Sequence, residues 1–154
     1  MPESQEQTVN VVMADDDDDD CLLVRDAFAQ SRQKVKFACV EDGERLLDYL
    51  YNRNGFEDLL GSPRPDLILL DLNMPKKGGI EALKQIKADD SLRSIPVVVL
   101  TTSKEQEDIA RCYGFGANSF VTKPLTFKAL VDALNVLGEY WFRTVELPGR
   151  EKDN

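Results

Sequence analysis

The chain contains no histidine. Histidine-based triads, histidine metal sites and a phosphohistidine carried on this polypeptide are therefore excluded. Its three cysteines, Cys21, Cys39 and Cys112, are an odd count without CxxC spacing. No apolar signal segment precedes the first strand pattern, so they read as reduced cytosolic thiols, mostly in the core, of a cytoplasmic protein. No apolar run approaches the roughly 20 residues needed to cross a bilayer. No lipidation signal occurs either, and no membrane partner is expected. Basic residues are in deficit, with 19 Lys and Arg against 28 Asp and Glu, for a net charge of −9. That balance lacks the basic footprint on which direct nucleic acid or anionic lipid binding depends.

What is present suits one domain. A chain of 154 residues can bury a sizeable core without disulfides or structural metal, and a second effector domain does not fit. Residues 1–8 are polar and aperiodic and read as a mobile tail, 9–142 as the domain, and 143–154 as a C-terminal extension. Short apolar runs at 9–14, 35–40, 67–70 and 95–100 and a short fifth strand at 118–122 alternate with amphipathic patterns. Five strands alternating with five helices predict an α/β fold, a doubly wound parallel sheet with helices on both faces. The pattern at 104–113 has few apolar positions, Ile109, Cys112 and Tyr113, and should be the least firmly packed helix.

The stretch LILLDLNMPKKGG ends four large apolar residues on a single carboxylate, Asp71. Such a run suits a strand buried on both faces, and open α/β sheets bind ligands beyond the carboxyl ends of their strands. The plain alternative is a loop aspartate that caps the next helix. The run Asp15 to Asp20 lies between a strand and a helix pattern. Asp18 to Asp20 can cap that helix and suit its positive end, which leaves Asp15 and Asp16 unexplained by capping. Thr101 ends the fourth strand pattern and Lys123 the fifth. In strand order 2-1-3-4-5, Asp15, Asp16, Asp71, Thr101 and Lys123 converge on one sheet edge. Three carboxylates about 4 Å apart would repel by roughly 4 kcal/mol per pair at an effective dielectric of 20. Magnesium, a hard cation that takes oxygen ligands, would relieve that repulsion. With Lys123 it could neutralise a phosphoryl group on Asp71, and Thr101 could donate to a phosphoryl oxygen.

From about Val9 to Phe142 the chain resembles the receiver domain of two-component response regulators. The motifs that carry the resemblance are the Asp15-Asp16 pair, LILLDLNMPKKGG around Asp71, VVVLTT ending in Thr101, and GANSFVTKP around Lys123. The resemblance implies a flavodoxin-like fold in which Asp71 accepts phosphate from a phosphohistidine of a sensor histidine kinase. It implies magnesium held by Asp16, Asp71 and the backbone carbonyl of Asn73, with Asp15 acting mainly through water. It also makes Thr101 and Phe120 switch residues and the Lys123-Pro124 bond a cis candidate. Phe120 replaces the more frequent tyrosine, so a hydrogen bond from that ring is lost. Asp18 stands where many relatives carry proline. The long connection before Asp66 and the sequence from Tyr140 to Pro148 look similar to stand-alone regulators paired with phytochrome-type kinases.

Two other readings remain at this stage. A haloacid-dehalogenase-type phosphatase needs a second acid two residues after its aspartate, where this chain has Asn73. A pseudo-receiver would keep the fold as a binding module without phosphorylation. Output is expected through docking on a downstream protein or onward transfer to a phosphotransfer protein. Self-association as a homodimer is expected through the 140–148 segment, if Trp141 and Phe142 form an exposed apolar patch.

Overall fold

The computed structural model describes residues 8–31, 33–74 and 76–144. The order of elements is β1 (Val9–Ala14), α1 (Asp18–Ala29), β2 (Val35–Val40), α2 (Gly43–Tyr51), β3 (Leu67–Leu70), α3 (Gly79–Ala88), β4 (Val97–Thr101), α4 (Gln106–Gly114), β5 (Ser119–Thr122) and α5 (Phe127–Gly138). The strands form one sheet in the order β2-β1-β3-β4-β5, and every pairing is parallel. This is the expected flavodoxin-like arrangement.

Alternation along the strands divides the core in two. Val12, Ala14, Ile68, Leu70, Val97 and Val99 face one side, where Leu46, Leu47 and Leu50 of α2 and Leu83 and Ile86 of α3 cover them. Val11, Met13, Leu67, Leu69, Val98 and Leu100 face the other, covered by Val24 and Phe28 of α1 and Leu130 and Leu134 of α5. Because β3 is buried at all four positions, its run of Leu and Ile shows no alternation in the sequence. In α4 only Cys112 is buried, in keeping with the sparse apolar pattern there.

The long connection after α2 is organised by Asp48. Its carboxylate accepts from Arg53 Nε at 2.8 Å, Asn54 Nδ2 at 3.0 Å and Arg45 Nη1 at 3.1 Å. Burial pushes this carboxyl up, but the three donors outweigh it and hold it below its ordinary pKa. A depressed folded pKa contributes stability that is full above the unfolded value near 3.8 and is lost as pH falls through the folded value. Urea unfolding at neutral pH and again below pH 3.8 should therefore show a smaller acid loss in Asp48→Asn than in the unaltered chain. Equal losses would contradict this role.

Three expectations are corrected by the structure. Cys21 on α1 and Cys39 on β2 have Cα atoms 6.2 Å apart and are joined as a disulfide, while Cys112 is free and buried. Residues 18 apart in sequence meet because α1 packs back beside β2, which cysteine count and spacing cannot show. No cis peptide bond occurs among the described residues, so Lys123-Pro124 is trans; proline narrows the preference for trans without reversing it. Finally, α5 ends at Gly138 and a π-helical turn follows over Glu139–Thr144. That turn folds Trp141 and Phe142 onto the α1–α5 face of the core, so they do not form the exposed patch expected there. The 145–148 part of the expected dimer segment and the tail at 1–7 lie outside the described residues.

Candidate functional site

The backbone ladder sets the site at the carboxyl edge of the sheet. Asp15 N donates to Val40 O at 3.0 Å, Asp71 N to Ala14 O at 3.0 Å and Lys123 N to Thr101 O at 2.7 Å. Each residue is thus held one step beyond its strand, at the β1/β3 switch point or beside it. Behind Asp71 the chain turns tightly into α3. A Cβ on Gly79 would lie within 2.7 Å of Leu72 Cα and closer still to Asp71 O, so only glycine permits this approach. The same loop is tied to α2 by Gly43 N, which donates to Lys77 O at 2.9 Å.

Asp15, Asp16 and Asp71 each offer a carboxylate oxygen, and these oxygens lie within 4.8 Å of one another. Asp15 and Asp71 are buried and Asp16 is exposed. Asp71 Oδ1 accepts from Leu72 N at 2.8 Å, which orients the other oxygen toward Lys123, 3.5 Å away. Lys123 Nζ lies closer to Asp15 Oδ2, at 2.7 Å, and to Asp20 Oδ2, at 2.6 Å. Burial raises the pKa of Asp15, partly offset by hydrogen bonds from Lys123 and the Asp17 N–H, with the Asp71 charge raising it further. Burial alone would lower the pKa of Lys123, but the hydrogen bonds to Asp15 and Asp20 and the charges of Asp71 and Asp15 outweigh it. Lys123 is therefore firmly protonated. Three clustered hard oxygens with one exposed member suit a divalent cation that keeps some of its waters, as magnesium does.

Thr101 is fully buried, and its Oγ1 has no hydrogen-bond partner. A buried hydroxyl without a partner is costly, so it is a position at which an incoming oxygen would be stabilised. Phe120 is half-buried against the α2–α3 side of the core. Its backbone N–H donates to Tyr113 Oη of α4 at 3.1 Å, so a tyrosine hydroxyl stands beside this position although it comes from another element. Asn73 lies in the loop after Asp71 with its side chain exposed. Thus the fold brings Asp15, Asp16, Asp71 and Lys123 together, and Thr101 ends the strand next to the one that leads into Asp71.

The acidic run divides differently from expectation. Asp17 is the helix cap, accepting from Asp19 N at 2.9 Å and Asp20 N at 3.4 Å. Asp20 does not cap; its carboxylate joins Lys123. A signal for this existed in the sequence. Asp20 precedes Val24 by four residues and Ala27 by seven, both buried, so it is the late aspartate on the stripe that faces the protein.

A family model, the response regulator receiver domain, matches residues 11–135. The chain belongs to that family. Among its relatives is the response regulator Rcp1 of Synechocystis sp., 36% identical over 138 residues, 90% of this receiver and 92% of that protein. The receiver also matches the phosphorylated cyanobacterial phytochrome response regulator RcpA with a TM-score of 0.85 and 36% identity, covering 93% of this chain and all of that one. The Mn2+-bound form of Rcp1 matches with a TM-score of 0.82 and 35% identity, over 92% and 99% of the two chains.

Proposed function

We propose that this receiver is a single-domain response regulator that takes a phosphoryl group onto Asp71 from a phosphohistidine of a phytochrome-type sensor kinase. The observation that carries the reading is the setting of Asp71, a buried carboxylate with Asp15 and Asp16 beside it and the Lys123 ammonium facing its Oδ2. In this reading an Asp71 oxygen attacks phosphorus, the P–N bond to the imidazole breaks, and an acyl phosphate forms while the freed imidazole keeps its electron pair. Asp16, Asp71 and the carbonyl of Asn73, with Asp15 through water, would hold magnesium, whose charge would offset that of the transferring group. Lys123 supplies a fixed positive charge at Asp71, and Thr101 Oγ1 donates to a phosphoryl oxygen. The protein acts on itself and is not a turnover enzyme.

Engaging Thr101 draws on the end of β4, beside which β5 carries Phe120. The Tyr113–Phe120 hydrogen bond couples that strand to α4, the thinly packed helix. The surface of α4, β5 and α5 is then the element whose two arrangements the phosphoryl group biases, for reading by a downstream protein or phosphotransfer partner. We place this exchange in the cytoplasm, where the Cys21–Cys39 pair would meet reducing conditions. Support for the phytochrome link comes from the likeness to Rcp1 and RcpA.

Candidate kinases autophosphorylated with labelled ATP provide the test. Label is expected to move to this chain from a phytochrome-type kinase much faster than from unrelated histidine kinases. Equal or slower transfer from every phytochrome-type kinase would overturn the assignment of partner.

A further inference from the structure

An ammonium group has three N–H donors. Lys123 Nζ has three acceptors within reach, Asp15 Oδ2 at 2.7 Å, Asp20 Oδ2 at 2.6 Å and Asp71 Oδ2 at 3.5 Å. Two of them are close and the third is long, so the ammonium is held chiefly by Asp15 and Asp20. Asp15 is itself fixed, since its Oδ1 accepts from Asp17 N at 2.9 Å. Asp20 has no comparable duty in its helix. Its own N–H is met by Asp17, and it sits in the first turn of α1 with its carboxylate turned to Lys123. The side chain of Lys123 is 13% exposed and that of Asp20 31%, which makes the pair shielded yet reachable by water.

We propose that Asp20 is a positioning residue for the phosphoacceptor reaction, anchoring the Lys123 ammonium jointly with Asp15 so that its third N–H is directed at the oxygen of Asp71. The proposal rests on Asp71 being the phosphoacceptor. A lysine head on a four-carbon stem has large rotamer freedom, and one anchor leaves it able to swing about Asp15. Two anchors restrict it to the position from which the third donor meets Asp71. The firm protonation of Lys123, to which the Asp20 hydrogen bond contributes, is in line with this role.

Positioning and charge have opposite kinetic signatures here. Asp20 adds negative charge beside a site that must admit an anionic donor. If charge were its only effect, removing it would lower the donor concentration at half-saturation and leave or raise the maximal rate. A positioning residue instead lowers the maximal rate when it is lost. The experiment measures phosphoryl uptake from acetyl phosphate with magnesium, by intact mass against time, over a range of donor concentrations. Asp20→Ala and Asp20→Asn are expected to reduce the maximal rate about tenfold without raising the half-saturating concentration, and Asp20→Glu to recover part of the loss. Thermal melts identify any variant that has lost its fold, and Asp20→Asn, nearly isosteric, keeps the test open if the alanine variant does. A maximal rate unchanged or raised in Asp20→Asn overturns the proposal while Asp71 stands. An unaltered chain that takes up no phosphoryl group on Asp71 overturns both.

Discussion

Removal of divalent cation is expected to slow phosphoryl uptake on Asp71 by about two orders of magnitude, and Asp16→Asn to do the same at low magnesium. Asp15, Asp16 and Asp71 crowd within 4.8 Å, Asp20 adds a fourth carboxylate, and Lys123 is the ammonium bonded among them. The Lys123 charge leaves most of this negative charge uncompensated, and the donor itself is an anion. Unit charges about 4 Å apart interact by about 4 kcal/mol at an effective dielectric of 20, and about 1.4 kcal/mol is a tenfold change in rate. Losing one such compensation, less what water at the exposed Asp16 restores, leaves about 3 kcal/mol, or about a hundredfold. Initial uptake rates from acetyl phosphate, with chelator and across a magnesium titration, check this. Asp16→Asn should move the titration to higher magnesium; rates within about twofold under chelation would contradict the cation's role.

Gly79→Ala is expected to be the most damaging small substitution near the site, with about 3 kcal/mol of stability lost. The added Cβ would meet backbone atoms, Asp71 O and Leu72 Cα, and backbone at the end of a central strand cannot give way as a side-chain tip can. For a chain of this length that loss lowers the melting temperature by roughly 6–12 °C. Gly114→Ala is the matched control. It lies in the last turn of α4 with nothing within 4 Å of its added Cβ, so it should gain slightly. Melting curves of the two variants that coincide would show that the approach of α3 to Asp71 is not as tight as described.

The parts of the fold that were legible in the sequence are those where one local pattern decides the outcome. The apolar runs ending at Ala14, Leu70 and Leu100 could be nothing but buried strands between helices, the half-buried 119–122 strand completes the sheet beside the last of them, and the ends of all four located Asp15, Asp71, Thr101 and Lys123 together. Strand β4 begins at Val97, two residues later than the apolar pattern, because Pro96 has no N–H for the ladder and Ile95 closes a turn onto Leu92. What was not legible depends on how elements lie against one another. The orientation of α1 brings Cys21 to Cys39, a contact that spacing along the chain does not encode; spacing puts Asp20 on the inward stripe of α1 but does not show that Lys123 is the group it meets there. Six consecutive aspartates hide which is the cap, since all have the same preference for that place; the helix starts at Asp18, so Asp17 takes it. Burial of Trp141 and Phe142 escaped for a related reason. Aromatic residues after a helix can cover the core or face solvent, and the π-helical turn at 139–144 turns these two inward.

The central claim is that Asp71 is the phosphoacceptor, and site-resolved mass measurement tests it most directly. The unaltered chain is incubated with acetyl phosphate and magnesium, its intact mass is read, and the modified residue is located after borohydride reduction of the acyl phosphate. One phosphoryl group per chain is expected, at Asp71, with none taken up by Asp71→Asn. Uptake that persists undiminished in Asp71→Asn, or that maps to Asp15, Asp16 or Asp20, would contradict the claim.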